Sequence, residues 1–528
     1  MGNKLFIFKK ILLLSAIFFA ITNAIILGMS WDEPFHYENG IVRLRYLFSL
    51  GEYKNYDIWF NIKYYPGLYD VISSFISQMF PKKFFVETHH LINFVFAIST
   101  IFCSYKITSK LFDKFTGTIL FILIFTNPIF FGHMSINPKD TILAFCFVYT
   151  LYFALKYIDN FKNDEKRSRY TYLVALVVGL GSGTRAVFII SLLPICVFVI
   201  YKIYYSTWKN ESKAKFYEDV IKIAFLAYLL MIIAWPQTHQ NIAYLPFMLI
   251  WESLTTAPFG TNWVLLNGEY YQTRDTPNSY FLLNFIYKFP EFILLSIPLF
   301  FILYRKIYSF FSNKGVNFKE NLIFILFIIF YPSTITIFLG AKLLDGLRYF
   351  LYIVPFILII PSILYSYLLQ NINKTIYKII LIPILILFIF YINIFFRLNP
   401  YQYIYLNSFI GKFENSHTKF ENDYWGLSLK ELIKKIDNKT LNTNKKIPKI
   451  AFCGFNYDVA KYYLDKNNII YQHVYMDKEF DYVIATNRQN VRKTNDKFVL
   501  ETCFETFNLK EVASVERNGL KLVKLLRK

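Results

Sequence analysis

Trp31-Asp32-Glu33-Pro34-Phe35-His36 follows directly on an almost unbroken run of Ile, Leu, Phe and Ala from Phe8 to Met29, and this junction decides how the fold is read. A run of that length supplies the roughly 20 helical residues needed to cross a bilayer core of about 30 Å. Lys4, Lys9 and Lys10 flank its start. The positive-inside bias therefore places the N-terminus in the cytoplasm and the acidic pair outside. The run is long, lacks a small-residue cleavage pattern and precedes many further apolar runs, so it reads as a retained helix and not as a signal peptide.

The rest of the chain agrees. Of 528 residues, 55% are hydrophobic, 20% aromatic and only 18% charged, a balance that excludes a soluble enzyme. The formal charge of +21, from 57 Lys and Arg against 36 Asp and Glu, does not point to nucleic acid. Much of it falls between apolar runs, where it fixes topology, and anionic lipid is the expected partner. Eleven candidate spans emerge: 8–29, 85–105, 115–132, 141–158, 171–184, 187–204, 219–236, 284–304, 320–340, 349–369 and 377–396. The Lys- and Arg-rich connections then lie inside. Residues 30–84, 133–140, 236–283 and 341–348 lie outside. Gly179, Gly181, Gly183 and Arg185 interrupt the fifth and sixth spans, leaving one bent helix or two short ones.

Hydropathy collapses after Arg397. The expected architecture is a mainly α polytopic membrane protein: a transmembrane catalytic domain over 1–396 with an external loop at 30–84, and an external soluble α/β domain over 397–528. In the latter, Ile450 to Cys453, Ile469 to Val474 and Tyr482 to Ala485 read as strands and Asp458 to Leu464 as a helix. Arg517-Asn518-Gly519 reads as the turn of a hairpin. This domain carries no glycine-rich phosphate loop, so accessory packing or substrate gating is expected of it. Cys103, Cys146 and Cys196 fall in spans, where a thiol behaves as a small hydrophobe. Cys453 and Cys503 are both external and available to pair. Without any CxxC, a cysteine-based zinc or cluster site is excluded.

Ionisable residues are costly near a bilayer, and here they collect in the external connections. Asp32 and His36 share a face if their loop is helical, while Glu33 points about 100° away, so one carboxylate can serve chemistry and the other structure. Asn137-Pro138-Lys139-Asp140 opens the fourth span. Asp32 and Asp140 would each also serve as plain helix caps. Arg185, flanked by glycines, and Arg348, in Asp345-Gly346-Leu347-Arg348-Tyr349, put guanidinium groups at the same membrane face, suited to an anionic ligand or to lipid phosphate. Acids there suit the proton of a nucleophile or a metal ion; cations suit a phosphate leaving group.

An Asp-Glu pair just after the first span resembles the membrane-embedded GT-C glycosyltransferases, the superfamily of protein O-mannosyltransferases and lipid A aminoarabinose transferases. Further stretches resemble one bacterial branch: Gly132-His133 with Asn137-Pro138-Lys139-Asp140, Asn267-Gly268-Glu269-Tyr270-Tyr271 leading to Thr276-Pro277-Asn278-Ser279-Tyr280, Asp345-Gly346-Leu347-Arg348-Tyr349-Phe350, Asn399-Pro400-Tyr401-Gln402-Tyr403 and Asp423-Tyr424-Trp425-Gly426. The resemblance implies transfer of a sugar from a polyprenyl-phosphate-linked donor to a lipid, glycan or protein acceptor on the outer face of the cytoplasmic membrane, with no nucleotide cofactor. It implies Asp32 as general base, with inversion at the anomeric carbon, and Asp140 as the second acid. Glu33 stands with them in the catalytic set. Arg348, Arg185 and Lys139 would hold the carrier phosphate, with His36 beside them. A divalent metal is left open. This chain has Tyr64-Tyr65-Pro66 where related enzymes often have His-Pro-Pro, and Tyr349 where the branch often has His. A flippase of lipid-linked sugars is the competing reading; it predicts mid-membrane charges and pseudo-repeats, and neither is seen.

Overall fold

The computed structural model describes residues 2–58, 62–207, 210–255, 262–338, 343–441, 447–494 and 497–528. Lys342 and the end of the ninth candidate span, 339–340, lie outside the described residues. The first part of the chain is helical: α1 (Gly2–Ile26), α2 (Glu33–Phe48), α3 (Leu68–Ser77), α4 (Phe85–Leu111), α5 (Lys114–Phe125), α6 (Pro128–His133), α7 (Asp140–Asp159), α8 (Asp164–Thr184), α9 (Phe188–Ser191), α10 (Leu193–Thr207), α11 (Asn210–Ile233) and α12 (Leu245–Thr255). A hairpin of β1 (Trp263–Leu266) and β2 (Glu269–Gln272) follows. Helices resume with α13 (Tyr280–Lys288), α14 (Glu291–Ile302), α15 (Tyr304–Ser312), α16 (Phe318–Phe338), α17 (Val354–Ile357), α18 (Ile359–Gln370) and α19 (Thr375–Arg397).

Among the described residues, five helical stretches are individually long and apolar enough to cross a membrane: 82–111, 140–159, 318–338, 348–370 and 375–397. The first run lies in α1, which is 25 residues long; the other apolar runs among the described residues are shorter, more polar or broken, for local reasons. Asn127 accepts from the Phe130 amide and Pro128 opens a new helix, so the run 115–132 divides into α5 and α6. The expected span 284–304 is not one helix: α13 and α14 meet at 111° across Phe289 and Pro290. Arg185 has an extended backbone between α8 and α9, which resolves the fifth and sixth runs into separate helices. On α19, Ile376, Ile379, Ile382, Ile386 and Ile389 face outward, as residues solvated by lipid do.

The chain after Arg397 begins by packing back onto the helices. Leu398, Tyr403, Trp425, Leu429 and Ile433 belong to the same continuous apolar core as the membrane helices. Gly132 permits this, because a β-carbon there would sit 2.5 Å from the backbone nitrogen of Tyr403. Beyond α20 (Leu429–Lys435) come β3 (Lys449–Cys453), α21 (Tyr457–Lys466), β4 (Gln472–His473), β5 (Tyr482–Thr486), β6 (Gln489–Thr494), β7 (Lys497–Thr502), α22 (Cys503–Thr506), β8 (Lys510–Arg517) and β9 (Leu520–Arg527). Five strands form one sheet in the order β4-β3-β5-β9-β8. Asn518 and Gly519 both have positive φ, as the tight turn between β8 and β9 requires. Cys453 and Cys503 form a disulfide across 50 residues.

Candidate active site

Pro34 suits the first turn of α2, and Asp32 occupies the position before it with a helical backbone and no capping bond from its side chain. The capping role open to it in the sequence is thus unused. Its carboxylate instead reaches across to the loop before α17, where Arg348 Nη1 donates to Asp32 Oδ2 at 2.8 Å. The Asp32 side chain keeps 30% of its surface open, against 2% for Glu33. Glu33 turns inward. It accepts from the Ser30 amide at 2.5 Å and from the Tyr37 hydroxyl, and lies 2.9 Å from His90 Nε2. One acid of the pair faces the open site and the other locks the loop onto α4.

Burial by itself raises the Asp32 carboxyl, but Arg348, then Lys139 and His36, outweigh it and hold it well below the usual carboxylate range. The Lys139 ammonium is in turn raised, as Tyr65 and Asp32 outweigh its burial. Lys139 Nζ stands 4.5 Å over the Tyr65 ring.

Asp140 also does not cap its helix. Asn137 does so from the preceding turn, accepting from the Asp140 amide at 2.9 Å, and its Nδ2 donates to Asp140 Oδ2 at 3.1 Å. The other Asp140 oxygen lies 3.8 Å from Arg185 Nη1. Arg185 and Arg348 both rest against the Tyr349 ring, at 5.2 Å and 4.9 Å. Asp32, Asp140, Lys139, Arg185 and Arg348 therefore form one cluster, with three cations around two carboxylates. Such an array can bind a phosphate and leave a carboxylate free for a proton.

His36 stands apart from that cluster by its hydrogen bonds, with Nδ1 3.0 Å from Asp70 Oδ1. Asn39 also donates to Asp70 and accepts from Arg43. Arg43, fully buried, donates to the carbonyls of Ile62, Tyr65 and Pro66. This network fastens the segment between α2 and α3, and with it Tyr65, beside Lys139. Nothing in the spacing of Asp70 or Arg43 marked them, because they meet only across the α2–α3 contact.

Asp345 is a further member of the site. It and Gly346 have positive φ, and the turn they make presents Asp345 Oδ2 at 3.3 Å from Arg348 Nη2 and 3.2 Å from Trp425 Nε1. The chain beyond Arg397 also contributes. The Arg348 guanidinium lies 5.3 Å over the Trp425 ring, and Arg488 Nη2 approaches Asp345 Oδ1 at 3.6 Å. Asp423 does structural work here, accepting from the Leu427 and Ser428 amides and from the Ser428 and Tyr403 hydroxyls. Among the described residues no three His, Cys, Asp or Glu side chains converge to hold a metal ion. Asp32, Asp140 and His36 are directed to different partners.

Residues 72–235, under a third of the chain, match the model of the dolichyl-phosphate-mannose-protein mannosyltransferase family. The apo crystal structure of ArnT from Cupriavidus metallidurans superposes with a TM-score of 0.52 at 11% identity, covering 99% of this chain and 98% of that one. The same protein bound to undecaprenyl phosphate gives 0.49 at 10% identity, covering 98% of each chain. The apo Archaeoglobus fulgidus oligosaccharyltransferase gives 0.45 at 13%, covering 90% of this chain and 69% of that one. No curated protein matches. The resemblance to the GT-C membrane glycosyltransferases drawn from the sequence motifs holds at the level of fold and family model.

Proposed function

We propose that this protein transfers a sugar from a polyprenyl-phosphate-linked donor to an acceptor hydroxyl on the outer face of the cytoplasmic membrane. The observation that carries the reading is the open Asp32–Arg348 pair, flanked by Lys139, Arg185 and Asp140. An acid and cations in contact, on the side of the membrane where a lipid phosphate lies, match what displacement at an anomeric carbon needs.

Without substrate, Arg348 makes Asp32 a poor base. A carrier phosphate competing for the guanidinium would loosen that contact, and the Asp32 carboxyl would become more basic as the donor seats. Asp32 then takes the proton of the acceptor hydroxyl while its oxygen attacks the anomeric carbon. The bond from that carbon to the phosphate oxygen breaks, configuration inverts, and the carrier phosphate leaves with the bonding pair. Arg348, Lys139 and Arg185 stabilise the charge developing on it. Glu33 and His36 act as positioning residues, through His90 and Asp70 respectively.

The outer-face assignment is supported by the Lys and Arg bias of the connections and by the Cys453–Cys503 disulfide, since such bonds persist in oxidising compartments. The test is purified protein in nanodiscs with a polyprenyl-phosphate sugar, following release of bare polyprenyl phosphate. Release that needs an acceptor and both Asp32 and Arg348 supports the reading. In sealed proteoliposomes, movement of the intact donor across the bilayer without bond cleavage would replace it with the flippase.

A further inference from the structure

Arg488 lies in the connection between β5 and β6, far beyond Arg397, yet its side chain ends beside the Asp32–Arg348 pair. Its backbone is pinned where it stands. The Cys503 amide donates to the Arg488 carbonyl at 2.9 Å, and the disulfide ties Cys503 to Cys453 at the end of β3. Gly454 leaves room for the approach, since a β-carbon there would lie 3.2 Å from Arg488 Cβ.

From that anchor the guanidinium, with 12% of its side chain exposed, reaches three groups of the site. Nη1 donates to the Tyr424 carbonyl, the guanidinium carbon lies 4.7 Å over the Trp31 ring, and Nη2 stands 3.6 Å from Asp345 Oδ1. Trp31 directly precedes Asp32, and its amide donates at 3.1 Å to the carbonyl of Trp425, the ring packed against Arg348.

The charges around Arg348 give this placement its consequence. Two carboxylates share that guanidinium, Asp32 Oδ2 at 2.8 Å and Asp345 Oδ2 at 3.3 Å, and a phosphate that takes it must displace part of the pairing. Only 3% of the Asp345 side chain is exposed, so water screens its charge little. Asp345 Oδ1 accepts no hydrogen bond, and Arg488 is the cation brought up to it from the chain beyond Arg397. Arg488 thus offsets a carboxylate that would otherwise draw Arg348 to itself.

Resting on the reading of Arg348 as a carrier-phosphate ligand, we propose that Arg488 is a positioning residue for the transfer. By engaging Asp345 it keeps that carboxylate from capturing Arg348, and the guanidinium stays available to the carrier phosphate. The region beyond Arg397 then supplies a working part of the site, held in register by the disulfide.

The test measures binding of bare undecaprenyl phosphate to the full chain in nanodiscs, with thermal unfolding of each variant alongside. Arg488→Gln keeps a donor for the Tyr424 carbonyl but removes the charge. It should weaken carrier binding roughly tenfold, the scale of one hydrogen bond to a charged group. Arg488→Lys keeps the charge without the planar face over Trp31, and should stay within about threefold of the natural protein. Adding Asp345→Asn to Arg488→Gln removes the carboxylate left uncompensated, and should bring affinity back to within about threefold of natural. Asp345→Asn alone, which leaves Arg488 in place, should bind the carrier at least as tightly as the natural protein. A residue that merely anchors the external region predicts otherwise: Lys fails to rescue, and the second substitution lowers both affinity and unfolding temperature further. Unchanged binding in Arg488→Gln, a loss in Arg488→Lys as large as in Arg488→Gln, no recovery in the double variant, or weaker binding in Asp345→Asn each overturns the proposal and leaves the carrier reading intact. Failure of the natural protein to bind bare undecaprenyl phosphate would overturn the carrier reading and the proposal with it.

Discussion

Replacing Asp32 by Asn separates chemistry from architecture at this site. The amide oxygen can still accept from Arg348 Nη1 across the same 2.8 Å, and Arg348 keeps Asp345 at 3.3 Å, so folding stability should change by no more than about 1 kcal/mol. Turnover should nevertheless fall roughly 10²- to 10⁴-fold, the cost of losing a positioned general base, which corresponds to about 2.7–5.4 kcal/mol on the barrier. Affinity for bare polyprenyl phosphate should move the other way. Without a competing carboxylate charge on its guanidinium, Arg348 should bind the carrier roughly threefold tighter or better, since each tenfold is about 1.4 kcal/mol. There is also a pH signature. The natural carboxyl sits below its unfolded value of 3.8, so whatever stability it contributes is present above that value and is lost as pH falls through and below it. The Asn variant should lack that part of the acid-side loss. The assay pairs single-turnover donor cleavage with carrier binding and thermal unfolding in nanodiscs. A variant that keeps more than about a tenth of the natural rate, or binds the carrier more weakly, would refute the reasoning.

Arg348→Lys keeps the charge but loses the planar fork shared among Asp32, Asp345 and Tyr349, so donor binding and turnover should both drop, and Arg348→Ala should be worse; unchanged kinetics in the Ala variant would reduce Arg348 to a lipid anchor. Gly132→Ala forces a β-carbon against Tyr403 backbone and should lower stability by about 1–3 kcal/mol, seen as a lower unfolding temperature in detergent. Removing the disulfide with Cys453→Ser and Cys503→Ser should cost about 2–4 kcal/mol in chemical unfolding of the region beyond Arg397, and reducing agent should reproduce the loss. In intact cells and a background without Cys103, Cys146 and Cys196, a membrane-impermeant thiol reagent should label Lys510→Cys and spare Asn163→Cys. The reverse pattern would put the acidic cluster in the cytoplasm.

Much of this molecule is written locally. Apolar run length marked the helices, because a helix in lipid must satisfy its own backbone and needs a fixed length to do so. Asn518-Gly519 marked the last hairpin, since only such residues take positive φ at low cost. The same signal lay in Asn267-Gly268, and there the hairpin went unread among apolar neighbours. Asp32, Lys139, Asp140, Arg185 and Arg348 were legible as candidates because ionisable groups beside a bilayer need a reason to be there.

Which of those residues act together was decided only by the tertiary structure. Asp32 and Arg348 are 316 positions apart, and no periodicity encodes a contact of that range. The sequence singled out Asp32 as the base but kept Glu33 beside it in the catalytic set and His36 near the phosphate; packing of α2 against α3 and α4 turned Glu33 to His90 and His36 to Asp70, leaving Asp32 open. Breaks at Pro128 and Pro290 divided runs that hydropathy joined, because backbone geometry, unlike composition, responds to single residues. Asp345 and Arg488 come from distant parts of the sequence. They became a group when the chain beyond Arg397 folded back over the membrane helices, where burial and mutual charge, not neighbours in sequence, set what each can do.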